Sequence, residues 1–379
     1  MPVTEPGLDE LVATNAGKLD FTADIADLAR CDVVYIAADV PTDDDGRSDL
    51  TTIQKLIDGV GWVLRNDAIL VVLCQVPPGF CRRLTQVPHE RLVYQVETLI
   101  FGQAVHRAMY PERFILGLAD PAKSLPAAYA QVLEAFACPI LPMRYESAEL
   151  AKISINFCLV ASVTVANTLA EVSEAVGADW SEIVPALKLD KRIGQFAYLN
   201  PGLGLSGGNL ERDLRTVMNI GEAEKTDIGV VRAWFTNSAH RKDWPWRVVR
   251  DCLREKPEAR IAVLGLAYKE NTHSTKNSPS LRLLSHLEGR CVRVHDPEVP
   301  ASVVPHAQGS VNAIDCAKDA DVLVIATPWP EYRDLKLSEL AAVMKGRVIV
   351  DPYRTLDAKA AAAAGFTYHT LGMSVLGPT

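Results

Sequence analysis

The sequence predicts a mixed α/β protein in which two α/β regions flank a mainly helical middle third. Short apolar runs of strand length recur in the first 140 residues and again after residue 257, and segments of helical period alternate with them. Between these regions, residues 146–176 contain neither Pro nor Gly. Because strands that alternate with helices are typical of a parallel, doubly wound sheet, each flanking region is expected to form one.

In the first region, residues 31–39 form a nearly continuous apolar run that ends in polar residues and Pro, as a buried parallel strand does. Residues 68–74 repeat this pattern, and a helix is expected across 49–65 between the two runs. Weaker patterns predict further strands at 91–94 and 114–117 and a helix at 127–137.

The middle third begins with a predicted helix of about 30 residues, or about 45 Å, over 146–176. Gly177 is a suitable C-terminal stop. Two apolar stripes of helical period lie on this segment: Leu150, Ile153, Phe157 and Val160, then Val165, Leu169, Val172 and Val176. Because the stripe changes face partway along, we expect a homodimer built on this helix. Further helices are predicted at 179–187, 210–220 and 224–256.

Alternation restarts at 260–267. Strands are predicted at 291–295, 321–327 and 347–350, and helices at 281–287, 313–318 and 338–344. The expected domains are therefore residues 1–145, 146–256 and 257–379, with the last boundary at 255–259.

Composition narrows the class of protein. The 379 residues are 48% hydrophobic and 23% charged, which is ordinary for a globular protein. A net charge of −8 without a dense basic stripe argues against nucleic acid and membranes as partners. No uninterrupted apolar run reaches the roughly 18–20 residues of a membrane span, and no secretory signal is apparent. The eight cysteines are scattered without metal-ligand spacing, which predicts reduced thiols, a cytoplasmic location and no metal site.

Seven segments resemble motifs of one family, in order along the whole chain. They are residues 5–11, 37–50, 148–156, 189–194, 199–213, 265–279 and 325–331. For example, AELAKISIN at 148–156 resembles the family's AELIKYASN, and LNPGLGLSGGNLERD at 199–213 resembles its LNPGPGYGGSCFPKD. On these residues the chain is similar to the UDP-glucose/GDP-mannose dehydrogenase family.

The resemblance implies an N-terminal NAD-binding Rossmann domain, a long dimerising helix and a C-terminal Rossmann-like domain for the nucleotide of a nucleotide sugar. Members of the family oxidise the sugar C6 hydroxyl to a carboxylate by two hydride transfers to NAD, through a thioester on a cysteine. An NAD-dependent oxidoreductase with a role in polysaccharide biosynthesis is therefore the function that the resemblance implies.

The resemblance also implies which residues are catalytic: Glu97, Lys152, Asn156, Asn209 and Asp213. Lys152 and Asn156 are four residues apart on one helix and so share a face, where an ammonium and an amide would stabilise and orient an oxyanion. Asp213 is a candidate general base. Simpler alternatives stay open: Lys152 extends to solvent along an amphipathic helix, Asp213 pairs with Arg212 or Arg215, and Asn209 caps a helix.

Two further groups occupy or adjoin positions of binding residues in the family, although Gln75 replaces a threonine, Lys276 replaces an arginine, and Arg354 lies next to the family's arginine position. The substrate-binding group is Leu99, Arg192, Tyr198, Gly204, Lys269 and Arg354. The cofactor-binding group is Val40, Pro41, Gln75 and Lys276. An ordinary surface role is the alternative for Arg192, Tyr198 and Lys269.

The sequence also departs from the family. The strand–GxGxxG–helix–strand unit that precedes the segment like 5–11 has no counterpart, so the N-terminal Rossmann-like domain is expected to be incomplete, with an unprotected strand at 32–38 and weak NAD binding. The glycines at 202–208 follow no strand, and the single glycine of 265–267, Gly265, suits a tight turn. Asn209 replaces the nucleophilic cysteine, and Cys74 is expected to be a buried thiol.

These departures leave two other functions open. One is a non-catalytic dimeric relative that binds a nucleotide sugar. The other is a nucleotide-sugar epimerase, whose reaction needs no thioester.

Overall fold

A computed structural model describes residues 5–41, 48–100, 102–254 and 256–378. Residues 42–47 of the motif at 37–50, and residue 255 of the expected 255–259 boundary, lie outside the described residues. The chain forms two compact units, residues 1–156 and 157–379, and each contains its own sheet. The expected division into three domains stays a prediction.

The first unit contains a five-stranded sheet in the order β1-β2-β3-β4-β5. Its elements are α1 (Leu8–Thr14), β1 (Val33–Ile36), α2 (Thr51–Val63), β2 (Ile69–Val72), β3 (Leu92–Gln95), α3 (Ala104–Met109), β4 (Phe114–Leu118), α4 (Ala127–Glu134), β5 (Ile140–Arg144) and the start of α5 (Tyr145–Val176). The pair β3–β4 is antiparallel and the other pairs are parallel. The expectation of a wholly parallel sheet is therefore wrong at this pair.

The core of this unit follows from its apolar patterns. All four residues of β2 are buried, and α2 turns Ile53, Ile57 and Val60 towards the sheet. β1 pairs with β2 at Val33–Ile69 and, within the described residues, forms the end of the sheet. The expectation that this strand lies at the edge of its sheet is therefore confirmed for that part of the chain, and its being unprotected stays a prediction.

The helix α5 has 32 residues and ends at Gly177, whose positive φ of 79° is the left-handed conformation that glycine adopts without steric cost. Among the described residues, α5 alone is long and apolar enough to suit a membrane span. The sequence does not predict a membrane span here when only uninterrupted apolar runs are considered. The suitability of α5 is weak evidence, because core helices of soluble proteins pass the same test.

The second unit contains a parallel six-stranded sheet in the order β11-β10-β9-β6-β7-β8. Its elements after α5 are α6 (Trp180–Leu189), α7 (Asn209–Glu224), α8 (Gly229–Lys242), α9 (Trp244–Cys252), β6 (Arg260–Leu264), α10 (Pro279–His286), β7 (Cys291–His295), β8 (Gln308–Gly309), α11 (Ala313–Ala317), β9 (Val322–Ile325), α12 (Pro330–Arg333), α13 (Leu337–Val343), β10 (Val348–Val350), α14 (Ala358–Ala363) and β11 (Thr367–His369). The fold class expected from the sequence is confirmed.

One predicted helix is wrong in its extent. The segment 224–256 is not continuous. α7 ends at Glu224, followed by Lys225 with a left-handed φ of 57°, and Asp243 separates α8 from α9. Pro245 stands in the first turn of α9, where its missing N–H has no helical partner to lose.

Candidate active site

In the first unit, two loops follow the carboxyl ends of the neighbouring parallel strands β1 and β2. The loop after β1 carries Val40 and Pro41, and the loop after β2 carries Gln75. Val40 is buried, and its N–H donates to Oδ1 of Asp39 at 2.9 Å, while Pro41 is exposed. Open α/β sheets bind ligands outside the carboxyl ends of their strands, so these three predicted cofactor residues lie at the appropriate edge.

The first turns of α5 hold the loop after β2. The carboxylate of Glu149 is fully buried and accepts hydrogen bonds from the N–H groups of Gly79 and Cys81, the second at 2.8 Å. Burial raises the pKa of this carboxyl group. Arg82, also in the loop after β2, forms an ion pair at 2.9 Å with Glu146 of α5. Sequence reasoning missed Glu149, although it lies inside the AELAKISIN motif.

One helical turn beyond Glu149, α5 presents Lys152. Its Nζ donates to the carbonyl oxygen of Glu97 at 2.7 Å, and the side chain is half-buried. The carboxylate of Glu97 in turn accepts a hydrogen bond from the N–H of Leu99. Asn156 follows four residues after Lys152 on the same helix face. The structure thus brings together Glu97, Leu99 and Lys152, and Lys152 does not simply extend into solvent.

The thiol nearest to these loops in sequence is Cys74. It is buried, its Sγ donates to the carbonyl oxygen of Ile36 at 3.2 Å, and burial raises its pKa to about 11. A thiol with that pKa carries almost no thiolate at neutral pH and is a poor nucleophile. The expectation of a buried, inert Cys74 is confirmed.

In the second unit, the glycine-rich segment 201–208 is held by side chains of two helices. Asn167 on α5 accepts from the N–H of Gly202 at 2.8 Å, and Ser238 on α8 accepts through Oγ from the N–H of Leu205 at 2.8 Å. Gly204 has a φ of +77°, and a Cβ there would lie 2.5 Å from the carbonyl oxygen of Ser238. Only glycine permits this approach, so Gly204 sets the path of the segment.

The segment leads directly into α7, which begins at Asn209. The N-cap is Gly208, with no side-chain cap hydrogen bond, and Asn209 is exposed as the first helical residue. The alternative that Asn209 caps this helix is therefore wrong. One turn later Asp213 is only 1% exposed, and its Oδ1 accepts from Nε of Arg212 at 3.4 Å. The ion pair considered for Asp213 is thus present with Arg212.

The turn at 265–267, which follows β6, is filled by a carboxylate of this chain. Gly265 has a φ of +97°, and Asp296 Oδ2 accepts from the N–H groups of Leu266 at 2.6 Å and Ala267 at 3.0 Å. Trp329 Nε1 donates to the same oxygen at 3.1 Å. A phosphate group bound here would need these backbone N–H groups, but Asp296 already occupies them. The geometry therefore supports the interpretation of Gly265 as part of a tight turn.

The remaining predicted residues fall into two sets. Lys269 lies 5.8 Å above the ring of Tyr268, that ring packs against Gly207, and the carbonyl oxygen of Lys276 accepts from the N–H of Gly207 at 3.0 Å. These positions meet at the glycine-rich segment.

Arg192 and Arg354 instead have partners elsewhere in the second unit. The exposed Arg192 pairs with Asp190 at 2.6 Å. Arg354 donates to Asp179 at 2.7 Å and to Oγ of Ser181 at 2.8 Å. Tyr198 is exposed. Among the described residues, no group of three or more His, Cys, Asp or Glu side chains could hold a metal ion.

Comparison with known families agrees with this fold. The NAD binding domain of the UDP-glucose/GDP-mannose dehydrogenase family matches residues 1–137, its central domain matches 146–238, and its UDP binding domain matches 262–358. The fold and these matches define an NAD-dependent oxidoreductase of the nucleotide-sugar dehydrogenase class. The chain belongs to the UDP-glucose/GDP-mannose dehydrogenase family.

Individual relatives match nearly the whole chain. The UDP-glucose 6-dehydrogenase TuaD of Bacillus subtilis is 27% identical over 98% of this chain and 84% of its own length. The UDP-glucose 6-dehydrogenase of Pseudomonas aeruginosa is 29% identical over 98% and 88%. The solved UDP-glucose dehydrogenase of the archaeon Pyrobaculum islandicum superposes with a TM-score of 0.84 at 26% identity, covering 98% of this chain and 88% of that one.

Proposed function

We propose that the chain oxidises the C6 hydroxyl of a UDP-hexose with NAD and releases mainly the aldehyde. The observation that carries this proposal is the arrangement on α5: Lys152 is fixed by the carbonyl oxygen of Glu97, and Asn156 lies on the same helix face. UDP is the preferred nucleotide because residues 262–358 match the UDP binding domain of the family.

In the proposed reaction the C6 hydroxyl loses its proton to a carboxylate and its carbon loses a hydride. Asp213 is the proposed proton acceptor. The ammonium of Lys152 stabilises the negative charge that develops on the oxygen, and the Asn156 amide orients that oxygen. NAD supplies the acceptor for the hydride. The products are the C6 aldehyde, the reduced cofactor and one proton.

The two loops at the carboxyl edge of the first sheet fit the nicotinamide half of NAD. Pro41 offers an exposed apolar surface for one face of the ring, with the buried Val40 supporting it from below, and the side chain of Gln75 offers an amide for hydrogen bonding. We assign Lys276 to the cofactor phosphates because it is an exposed cation.

For the substrate, Lys269 and Arg192 are proposed to bind the pyrophosphate, and Tyr198 is proposed to stack on the base or the sugar. Gly204 shapes the glycine-rich segment, and Leu99 orders the backbone next to Glu97. Arg354 is retained as a substrate contact on the basis of its position, although it is bonded to Asp179.

The second oxidation step of the family needs a thiolate that captures the aldehyde, and Asn209 cannot supply one. We therefore propose that acid formation is slow and proceeds, if at all, through the aldehyde hydrate. The eight unpaired cysteines support a cytoplasmic location for the enzyme.

We also propose that the chain is a homodimer that buries the second half of α5. Val165, Leu169 and Val172 are between 42% and 51% exposed, and Val176 is 70% exposed. In the first stripe Ile153 and Val160 are buried within the protomer, although Leu150 is 45% exposed. If the exposed stripes of two protomers packed against each other, this apolar surface would be removed from water.

The activity test is NADH formation from UDP-glucose and NAD by the full chain. We expect turnover by the unmodified protein and a loss of at least about 100-fold in kcat for Lys152→Met, because one preorganised charge is removed. Lys123→Met, which removes an exposed lysine of the same unit, is the matched control. Binding of UDP-glucose without any NADH would instead support the non-catalytic relative.

A further inference from the structure

We propose that Glu211 is a positioning residue that fastens the turn carrying Lys276 to the glycine-rich segment in front of Asn209. This inference rests on the proposed function, because Lys276 and Asn209 belong to the proposed site. Glu211 itself lies in the first turn of α7, two residues from Asn209 and two from Asp213.

The carboxylate of Glu211 bridges two elements. Its Oε1 accepts from Nζ of Lys242, the last residue of α8, at 2.8 Å. Its Oε2 accepts from Nδ2 of Asn277 at 2.8 Å. The side chains of Glu211 and Lys242 are only 22% and 11% exposed, so this ion pair is shielded from water more than most surface pairs.

Asn277 continues the bridge to the glycine-rich segment. Its Nδ2 also donates to the carbonyl oxygen of Gly207 at 2.9 Å, and the N–H of Gly207 donates to the carbonyl oxygen of Lys276 at 3.0 Å. Asn277 adopts a left-handed φ of 54°, a conformation that asparagine tolerates better than most residues. The residue after Lys276 is therefore tied to Gly207 and Glu211 at once.

The bridge is a property of this sequence rather than of the motif that it resembles. In LNPGPGYGGSCFPKD the position of Glu211 is occupied by proline, which has no side-chain acceptor. A carboxylate at this position accepts two hydrogen bonds, one of them from a cation, and such charge-assisted bonds are stronger than neutral ones. Without it, the turn at 276–277 loses its tie to α7, while its hydrogen bonds with Gly207 remain.

The consequence is preorganisation. The proposed cofactor contact Lys276 and the proposed catalytic position Asn209 lie on separate elements that Glu211 joins, so that the ligand need not order them on binding. We therefore expect loss of Glu211 to weaken ligand binding more than it slows the chemical step.

The test compares Glu211→Ala with Glu222→Ala, which removes an exposed ion pair with Arg232 from the same helix. In Glu211→Ala, we expect the Kd and the KM for NAD to rise about tenfold, the size of one charge-assisted hydrogen bond, with kcat within about twofold. Glu211→Gln keeps an acceptor for Asn277 and should recover part of the loss. Glu222→Ala should behave like the unmodified protein.

Hydrogen exchange of the ligand-free protein gives a readout that needs no activity. The amide of Gly207 should exchange faster in Glu211→Ala but not in Glu222→Ala. The proposal would be overturned if the amide of Gly207 exchanged at the same rate in Glu211→Ala as in the unmodified protein. It would also be overturned if Glu211→Ala had a lower Tm but bound the ligand as strongly as Glu222→Ala. If the unmodified chain neither binds UDP nor forms NADH, the proposed function fails, and the exchange of Gly207 still decides whether Glu211 holds the turn.

Discussion

At the residue scale, Glu146 and Glu149 lie one turn apart at the start of α5 but ionise in different surroundings. Burial raises the pKa of Glu149, whereas the hydrogen bond from Arg82 lowers the pKa of Glu146. A raised pKa means that the folded state binds the proton more tightly than the unfolded state. The stabilisation by Glu149 is then fully present below the unfolded value near 4.5 and is lost as the pH rises through the folded value.

We predict that Glu149→Gln removes this pH dependence. The free energy of unfolding of the unmodified protein, relative to that of the variant, should fall as the pH rises above about 4.5, because the ionised carboxylate is the form that burial penalises. Urea unfolding of both proteins between pH 4.5 and 8 measures this difference in the free energy of unfolding.

Glu146→Gln is the control. The free energy of unfolding of the unmodified protein, relative to that of this variant, should rise with pH instead of falling. A lowered pKa stabilises the folded state above about 4.5, and this contribution is lost as the pH falls. It should also be small, because the pair with Arg82 is partly exposed. A Glu149→Gln difference that does not vary with pH would contradict the prediction.

The chemistry of a single residue also decides the product. We predict that the unmodified chain converts UDP-glucose mainly to the aldehyde, and that Asn209→Cys increases acid formation while leaving the first hydride transfer nearly unchanged. A thiol at 209 would form the covalent adduct that the second hydride transfer requires. Asn209 is exposed at the start of α7, so a cysteine there would be accessible.

Trapping the aldehyde and counting NADH per sugar separates the two steps. Asn209→Ser is the control, because it changes size without adding a nucleophilic thiol. Two NADH per sugar from the unmodified protein, at a rate that Asn209→Cys does not change, would show that the site oxidises the hydrate directly.

At the element scale, the two halves of α5 show what a periodic pattern can and cannot predict. The apolar spacing and Gly177 predicted the helix to within one residue of its start. The same pattern could not distinguish the buried Ile153 and Val160 from the exposed second stripe, because both sets are aliphatic. Nor could it identify Glu149, since a buried carboxylate depends on the two N–H groups that a distant loop supplies.

We predict that the exposed stripe of α5 holds the dimer. Leu169→Lys combined with Val172→Lys should convert the protein from dimer to monomer at micromolar concentration, because each buried aliphatic side chain contributes about 1.5–3 kcal/mol. Sedimentation velocity measures the change. Val311→Lys, which alters an equally apolar but separate exposed residue, should leave the dimer intact. A monomeric unmodified protein would exclude this interface.

At the scale of the whole molecule, the sequence predicted the main strands better than the marginal ones. The apolar runs of β2, β6 and β9 are fully or largely buried, and β1 buries Val34 and Ile36, so the apolar composition of these strands predicts them. β5 contains Pro142 and exposed positions, and β11 has three residues, so neither stood out. The site was predicted by resemblance. The resemblance gave no indication of Asp296 or Glu211, because their carboxylates accept hydrogen bonds from other elements of the same chain.

The N-terminal segment differs from the rest of its unit in how little it buries. Glu5 is fixed by the N–H groups of Gly102 and Ala104, but residues 6–30 include no buried residue, and Phe21 is 84% exposed. Segments with few buried contacts open locally at low free-energy cost.

We predict that limited trypsin digestion first cuts this segment, at Lys18 and Arg30, while residues 157–379 stay intact for much longer. Both side chains are exposed, and the pair between Arg30 and Asp27 is too exposed to hold the backbone. Mass spectrometry of the early fragments identifies the cuts. A variant with Lys18→Gln and Arg30→Gln should lose these fragments and keep the later ones. First cleavage within the second sheet would show that the second unit, with its buried parallel core, is instead the less stable part of the molecule.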